Sequence, residues 1–218
     1  MSLLLLYGTA LLVGSAHALE PDHMAAVTSF AVRRPRLRDA VRFGVQWATG
    51  HGAAIVVVGA CMLMVGLRFP AGATEALERG VGVLLIGLGA WTIAGARRMH
   101  AHQHLHRDGT VHEHIHSHAI VKDHEHRHGA TLVGVLHGLA GTAPAVALVP
   151  IASFDSALSG VLYLIIFAVG TACGMALYAL LAGFVVGRAA FRSERMARRM
   201  AVVTGCVTIA VGALWLIR

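Results

Sequence analysis

Seven residues near the start of the chain, His17-Ala18-Leu19-Glu20-Pro21-Asp22-His23, place two imidazoles, two carboxylates and a proline in a stretch that otherwise has the composition of a membrane-spanning helix. Ionisable groups are costly at membrane depth, and there they mark functional sites by default. Imidazole suits nickel, cobalt, zinc, copper or ferrous iron, whereas a copper(I) site would draw on Cys and Met. The N/O donor set therefore favours a borderline divalent cation. Binding requires neutral imidazoles and an ionised carboxylate, so affinity for such an ion falls as the pH drops. Pro21 lacks an N–H and clashes with the preceding turn, so the helix kinks or breaks there. In a straight helix Asp22 and His23 would lie about 140° and 240° round from His17, too splayed to meet one ion. Spacing alone leaves open which of Glu20 and Asp22 is a ligand.

Two further histidines lie in apolar stretches, His51 in Trp47-Ala48-Thr49-Gly50-His51-Gly52 and His137 in Leu136-His137-Gly138-Leu139-Ala140-Gly141-Thr142. Taken singly, each reads as a structural imidazole bonded to a neighbouring carbonyl or hydroxyl. Their glycines admit close helix approach under either reading. An internal repeat ties them together: Leu12-Val13-Gly14-x-x-His17-x-Leu19 recurs 120 positions later as Leu132-Val133-Gly134-x-x-His137-x-Leu139. Gly50 recurs as Gly170, and Trp91 as Trp215 after a slip in register. The second copy keeps His137 but has Thr142 and Ala143 in place of Asp22 and His23, so a site built on the repeat is asymmetric. At 1.5 Å per residue, His17, His51 and His137 each fall about 20 Å from the outer ends of their helices. The repeat also argues against a signal peptide cleaved after Ala16-His17-Ala18, because the first residues carry no Lys or Arg and cleavage would delete half of a duplicated unit.

The elements that must position these residues follow from composition. Of 218 residues, 56% are hydrophobic and 13% charged, with 25 glycines, the profile of an all-α polytopic membrane protein. Six apolar stretches are long enough to span, at about 20 residues each: 2–30, interrupted at Pro21, then 40–66, 77–96, 130–151, 158–183 and 200–217. Fifteen of the 18 basic residues lie on three loops of one side, and the other side keeps Arg68, Arg79 and Arg218. The positive-inside rule then puts both termini outside a cell membrane. Read this way, the net charge of +7 marks orientation and does not call for a nucleic-acid partner. Arg188 to Arg199 reads as a juxtamembrane basic segment. Cys61, Cys173 and Cys206 all fall in apolar segments and suggest neither a disulfide framework nor a CxxC site. Three helices per repeat is odd, so the second copy enters from the opposite side, as in the inverted repeats of secondary transporters. The chain divides into a first three-helix repeat (1–96), a loop (97–129) and a second three-helix repeat (130–218).

The cytoplasmic loop holds eleven histidines, a density that reads as metal binding. His102, His104 and His106, then Asp108-Gly109, then His112, His114, His116 and His118 alternate in the manner of a hairpin. A strict two-residue turn would put the two histidine rows on opposite faces, and a one-residue bulge would bring them together. A solvated linker that binds metal only loosely would have the same composition.

The pattern His17-x4-Asp22-His23 on a first membrane helix resembles the HX4DH signature of the nickel/cobalt transporter family, and Gly50-His51 resembles that family's Gly-His element. HALEPDH, HGLAGTAP and the His-rich loop look closest to its compact, six-helix UreH-like members. Two features differ from the better-known importers, which have eight helices and an Asp-Ala where this chain has Glu20-Pro21. The resemblance implies Ni²⁺ or Co²⁺ as substrate rather than a prosthetic group, with His17, Asp22, His23 and His51 as metal-recognition residues. His137 is added from the repeat. The partners implied are the metal ion, the lipid bilayer and cytoplasmic nickel-handling proteins. Transport by alternating access at a midplane site follows, either as uptake or, since related exporters also carry His-rich loops, as efflux. Two other classes compete: a membrane haem protein, since histidines from different helices can ligate haem iron, and a metal-binding accessory or sensor protein. No nucleophile-base pair or carboxylate dyad points to an enzyme.

Overall fold

The computed structural model describes residues 3–65, 72–97, 99–105, 111–117, 129–140 and 156–217. These form helices α1 (Leu3–His17), α2 (Pro21–Arg33), α3 (Leu37–Val65), α4 (Ala73–Ala96), α5 (Gly129–Ala140), α6 (Ala157–Arg192) and α7 (Glu194–Ile217), and strands β1 (Met99–Leu105) and β2 (Val111–Ser117).

The first expected span is broken just before the proline. Ala18 N still donates to Gly14 O at 3.2 Å, but Leu19 N and Glu20 N reach back only three residues, to Ala16 O and His17 O. The last turn has tightened and stopped. Glu20 precedes a proline, which disfavours helical geometry, and its backbone is extended at φ −64°, ψ 147°. Pro21 then opens α2, where its missing N–H costs nothing because first-turn donors have no helical partner. Asp22 and His23 follow in that first turn, where a carboxylate is favoured by the helix dipole.

Helices α3, α4, α6 and α7 are long and apolar enough to cross a membrane, while α1 and α5 are shorter apolar helices. Large apolar side chains face outward on all of them, including Leu12, Val57, Val83, Leu136, Leu177 and Val203. Polar groups lie inside: His17, Asp22, His23, Ser29, His51, Thr92, His137, Thr171 and Thr208 are buried. With apolar residues outside and these polar groups within, the chain is a multi-pass membrane protein.

Helix α1 packs on α6 and α5 packs on α3; α3 also runs along α6, α4 along α7, and α2 lies against α7, α6 and α4. Glycines set these approaches. A Cβ on Gly14 would strike the Phe167 carbonyl and one on Gly134 the Trp47 carbonyl; one on Gly50 would strike Thr131 O and one on Gly170 Leu11 O. Within each couple the same 120-residue shift carries one contact onto the other. Gly82 meets Gly212 O and Gly212 meets Gly82 O, and Gly89 and Gly205 do the same, so α4 and α7 cross backbone to backbone. At one end of the bundle Ala31, Val32, Ala40, Ala96, Val186 and Ala201 form a small core. Arg33, Arg97 and Arg188, one described arginine from each basic segment, lie within two residues of Val32, Ala96 and Val186 of that core. There Arg33 Nη1 donates to Trp91 O at 2.6 Å, and its guanidinium lies 3.5 Å over the Trp91 ring.

Several expected boundaries move. The spans read as 158–183 and 200–217 are longer helices, and between Arg188 and Arg199 only Ser193, extended at φ −168°, ψ 134°, interrupts them. Ala, Met, Arg and Glu are good helix formers, and the Glu194–Arg198 pair at 3.0 Å adds i,i+4 support. The basic stretch is thus a helix-turn-helix rather than a loop. Of the span read as 130–151, residues 129–140 are helical and 141–151 lie outside the described residues. Strands β1 and β2 pair antiparallel, with His100 opposite His116, His102 opposite His114 and His104 opposite His112. Five residues, 106–110, separate the paired ends, so the histidine rows meet in register instead of being offset as a two-residue turn would set them. His106 and His118 lie outside the described residues.

Candidate metal centre

All five histidine and aspartate residues singled out on the apolar helices come together at the break in the first span. His17 is the last residue of α1, Asp22 and His23 lie in the first turn of α2, His51 is near the middle of α3 and His137 near the end of α5. Each is at most 7% exposed. The break removes the angular mismatch of a straight helix, because α2 starts afresh at Pro21 after the extended Glu20 and does not continue the turn of α1. The His17 and His23 rings now stand edge to face with centroids 4.6 Å apart. His23 also touches His51 (4.9 Å) and His137 (4.7 Å), and His17 stacks on His51 at 5.4 Å.

The atoms divide into two overlapping groups, one of His17, His23 and His51 and one of Asp22, His23 and His137, each with donor atoms within 4.8 Å of one another. In the first, His17 Nε2 and His51 Nε2 face each other at 3.3 Å. Two nitrogens at that separation, each about 2.1 Å from an ion, subtend about 105° at it, an ordinary angle for tetrahedral or distorted octahedral coordination. His17 Nδ1 donates to Glu20 Oε1 at 2.8 Å, which leaves Nε2 as the lone-pair nitrogen. In the second group Asp22 is a bridge: Oδ1 lies 2.9 Å from His23 Nδ1 and also accepts from His23 N at 2.9 Å, while Oδ2 lies 3.0 Å from His137 Nε2. A carboxylate that fixes one ring nitrogen and aims the other is the usual second partner of a metal-ligating imidazole.

The reading of these imidazoles as structural core residues requires each ring to be bonded to a carbonyl or hydroxyl. Among the described residues none is: the rings bond to one another and to Asp22 and Glu20. His23 Nε2, His51 Nδ1 and His137 Nδ1 are buried with no hydrogen-bond partner there. A structural network that left buried nitrogens unsatisfied would be costly, whereas a donor set for a cation needs unshared lone pairs. The chemistry available is capture of a borderline divalent ion by nitrogen donors with a neighbouring carboxylate.

Residues that the sequence reading did not assign to the site wall it in. Trp47 lies against His23 (5.2 Å), His137 (5.1 Å) and His51 (6.2 Å), and Phe167 against His17 (5.5 Å). The 120-residue repeat could have flagged them as a couple, since Phe167 is the second-half counterpart of Trp47. By the same shift Thr171 stands where the first half has His51, and its hydroxyl donates to Phe167 O at 3.0 Å. The centre is therefore asymmetric, with four polar residues from the first half and His137 from the second. Glu20 is the outlying member, its side chain 42% exposed against 6% for His17. Because it fixes the His17 tautomer, Glu20→Ala is expected to weaken metal affinity by about 10-fold to 100-fold, and Glu20→Gln, which keeps an acceptor, by less; equilibrium ⁶³Ni²⁺ binding in detergent checks both. Cys61, Cys173 and Cys206 are free and exposed, and none belongs to either donor group.

Comparison with known proteins places this geometry in context. The chain is 27% identical over 204 residues to the urease accessory protein UreH of Bacillus sp. (strain TB-90), covering 92% of this chain and 85% of the relative. It is 25% identical over 216 residues, 95% of this chain and 91% of the relative, to a protein of Methanocaldococcus jannaschii named for nickel/cobalt efflux. It is also 28% identical over 211 residues to the chloroplast protein FOR GROWTH AND FERTILITY 1 of Arabidopsis thaliana, covering 94% of this chain and 56% of that protein. No solved structure matches the chain. The family described as "Cytochrome C biogenesis protein transmembrane region" matches residues 9–214, nearly the full length, and the chain belongs to that family.

Proposed function

We propose that the protein carries a divalent transition-metal ion, Ni²⁺ or Co²⁺, across the bilayer by alternating access. His17, His23 and His51 hold the ion at mid-depth, Asp22 orients His23, and His137 braces Asp22 from the second half. The observation that carries this reading is the meeting of three buried imidazoles from three helices, with two Nε2 atoms 3.3 Å apart and no carbonyl or hydroxyl partner among the described residues. The cost of stripping water from the ion is offset by nitrogen donors already held in place, and a low-dielectric surround strengthens the attraction of the carboxylate.

The exchanged contacts, α1 on α6 and α5 on α3, support two inverted three-helix repeats and six spans, with the broken α1–α2 helix at their interface. The placing of Arg33, Arg97 and Arg188 beside one small core supports a cytoplasmic placement of that end and of the His-rich loop, with both termini outside the cell membrane. The name of the Methanocaldococcus relative supports the ion class and sets efflux beside uptake. A haem reading fares poorly, because His17, His23 and His51 touch ring to ring and leave no gap for a macrocycle between any two of them.

The test is flux. Proteoliposomes of wild-type protein are expected to accumulate ⁶³Ni²⁺ or ⁵⁷Co²⁺, and His17→Ala and Asp22→Ala vesicles to fall to the level of empty ones. Variants that accumulate ion like wild type would sink the central site. Running the assay in both directions, with and without a proton gradient, gives the direction and the coupling.

A further inference from the structure

The two donor groups share one residue. His17, His23 and His51 belong to α1, α2 and α3, all in the first half of the chain, whereas Asp22, His23 and His137 add α5 from the second half. His23 stands between them, with ring centroids 4.6 and 4.9 Å from His17 and His51 on one side and 4.7 Å from His137 on the other. His51 and His137 are farther apart, at 6.1 Å. Nδ1 of His23 is committed to the Asp22 side at 2.9 Å, and Nε2 has no partner among the described residues. The two nitrogens of an imidazole point away from each other, so one ion cannot use both.

From this we infer that the centre has two successive ion positions, one bounded by His17, His23 and His51 and the other by Asp22, His23 and His137, with His23 as the ligand common to both. This deepens the transport reading and rests on it. In the first position the ion sits on His23 Nε2 while Nδ1–H is held by Asp22. On passing to the second, the ion takes Asp22, His23 through Nδ1 and His137 through Nε2 as ligands; the proton displaced from His23 Nδ1 goes to the vacated Nε2 and the one that His137 Nε2 shared with Asp22 goes to the unpartnered Nδ1, so each ring ends with the same number of protons. The two positions differ in whether the second half contributes. The first is complete without α5, and the second needs α5 seated on α3, a contact made at Gly134 against Trp47 and Gly138 against His51. Movement of α5 relative to α3 therefore changes which position is complete. That is the differential binding a ligand needs in order to shift a conformational equilibrium. His137, which a single-site reading leaves as a brace, becomes a ligand of the second position.

The experiment uses the full chain and Co²⁺ as probe, with binding read from the visible ligand-field spectrum in detergent and transport from ⁵⁷Co²⁺ uptake into proteoliposomes. His51→Ala and His137→Ala are each expected to retain one bound Co²⁺, with affinity reduced about 10-fold to 100-fold. Their spectra should differ, since one retains a His₂Asp set and the other a His₃ set. Uptake by both is expected to fall at least as far as affinity does, and the double variant is expected to lose binding. His51→Gln and His137→Gln stand in for either alanine variant that is not monodisperse. If each single substitution abolishes binding, the ion has one position; if His137→Ala binds and transports like wild type, the second position does not exist. Either result overturns the inference. A wild-type protein that binds Co²⁺ but moves none would overturn the transport reading instead, and the spectra of the single variants would still decide between one position and two.

Discussion

His23→Ala is expected to eliminate both metal binding and transport, the largest single effect in the molecule. His23 is 1% exposed and contacts all three of the other imidazoles. Its removal takes a donor from each group at once, so no three-donor set survives. Changes to residues that merely orient a ligand cost about 10-fold to 100-fold in affinity, and loss of a shared ligand should exceed that range. Folding suffers too. Asp22 would keep its contact to His137 and the backbone bond from residue 23, but it would lose the side-chain partner of Oδ1. Removing one hydrogen-bond partner of a buried group costs about 1–3 kcal/mol. The check is ⁶³Ni²⁺ equilibrium binding and vesicle uptake, with a melting curve in detergent to separate lost ligation from lost structure. His23→Gln is the control that retains bulk and polarity; if it bound nickel as tightly as wild type, His23 would be no ligand.

The second large effect is expected from Gly134→Val, which touches none of the donor atoms. A Cβ at residue 134 would strike the Trp47 carbonyl and lie 2.8 Å from Trp47 Cδ1. A backbone carbonyl inside a helix cannot step aside, so α5 must withdraw from α3. Overpacking of this kind costs about 1–3 kcal/mol. Withdrawal also pulls His137 from Asp22 and opens the wall that Trp47 makes against His23 and His137. Uptake should therefore fall together with melting temperature. Gly14→Val is expected to act alike from the other side, since its Cβ would strike the Phe167 carbonyl, and Gly8→Val, with nothing within 4 Å, to leave stability unchanged. Equal melting temperatures for Gly134→Val and Gly8→Val would show that the α3–α5 approach is not set by glycine.

Much of this was legible in the chain itself because it depends on local rules. A proline cannot continue the bonding of the turn before it, so a break near residue 21 follows from one residue type; the structure moves it to residues 18–20, with Pro21 as the first residue of α2. Apolar run length and the clustering of arginine mark the helices and the end where they join. The 120-residue recurrence marks which helices have counterparts, and the resemblance carried by His17, Asp22, His23 and Gly50-His51 points to the same residues that meet in space. What only the tertiary structure decided is which atom faces which. That depends on the rotation and depth of each helix relative to its neighbours, which are set where glycines such as Gly14, Gly50, Gly134 and Gly170 bring backbone onto backbone. A shift of one residue in any of them would swing an imidazole by about 100°. For the same reason the sequence could name Asp22 and His137 but not join them, could not choose between Glu20 and Asp22, and left Trp47 and Phe167 unassigned to the site. Partners in a cluster are chosen by contacts between helices far apart in the chain, and no spacing within one helix records them.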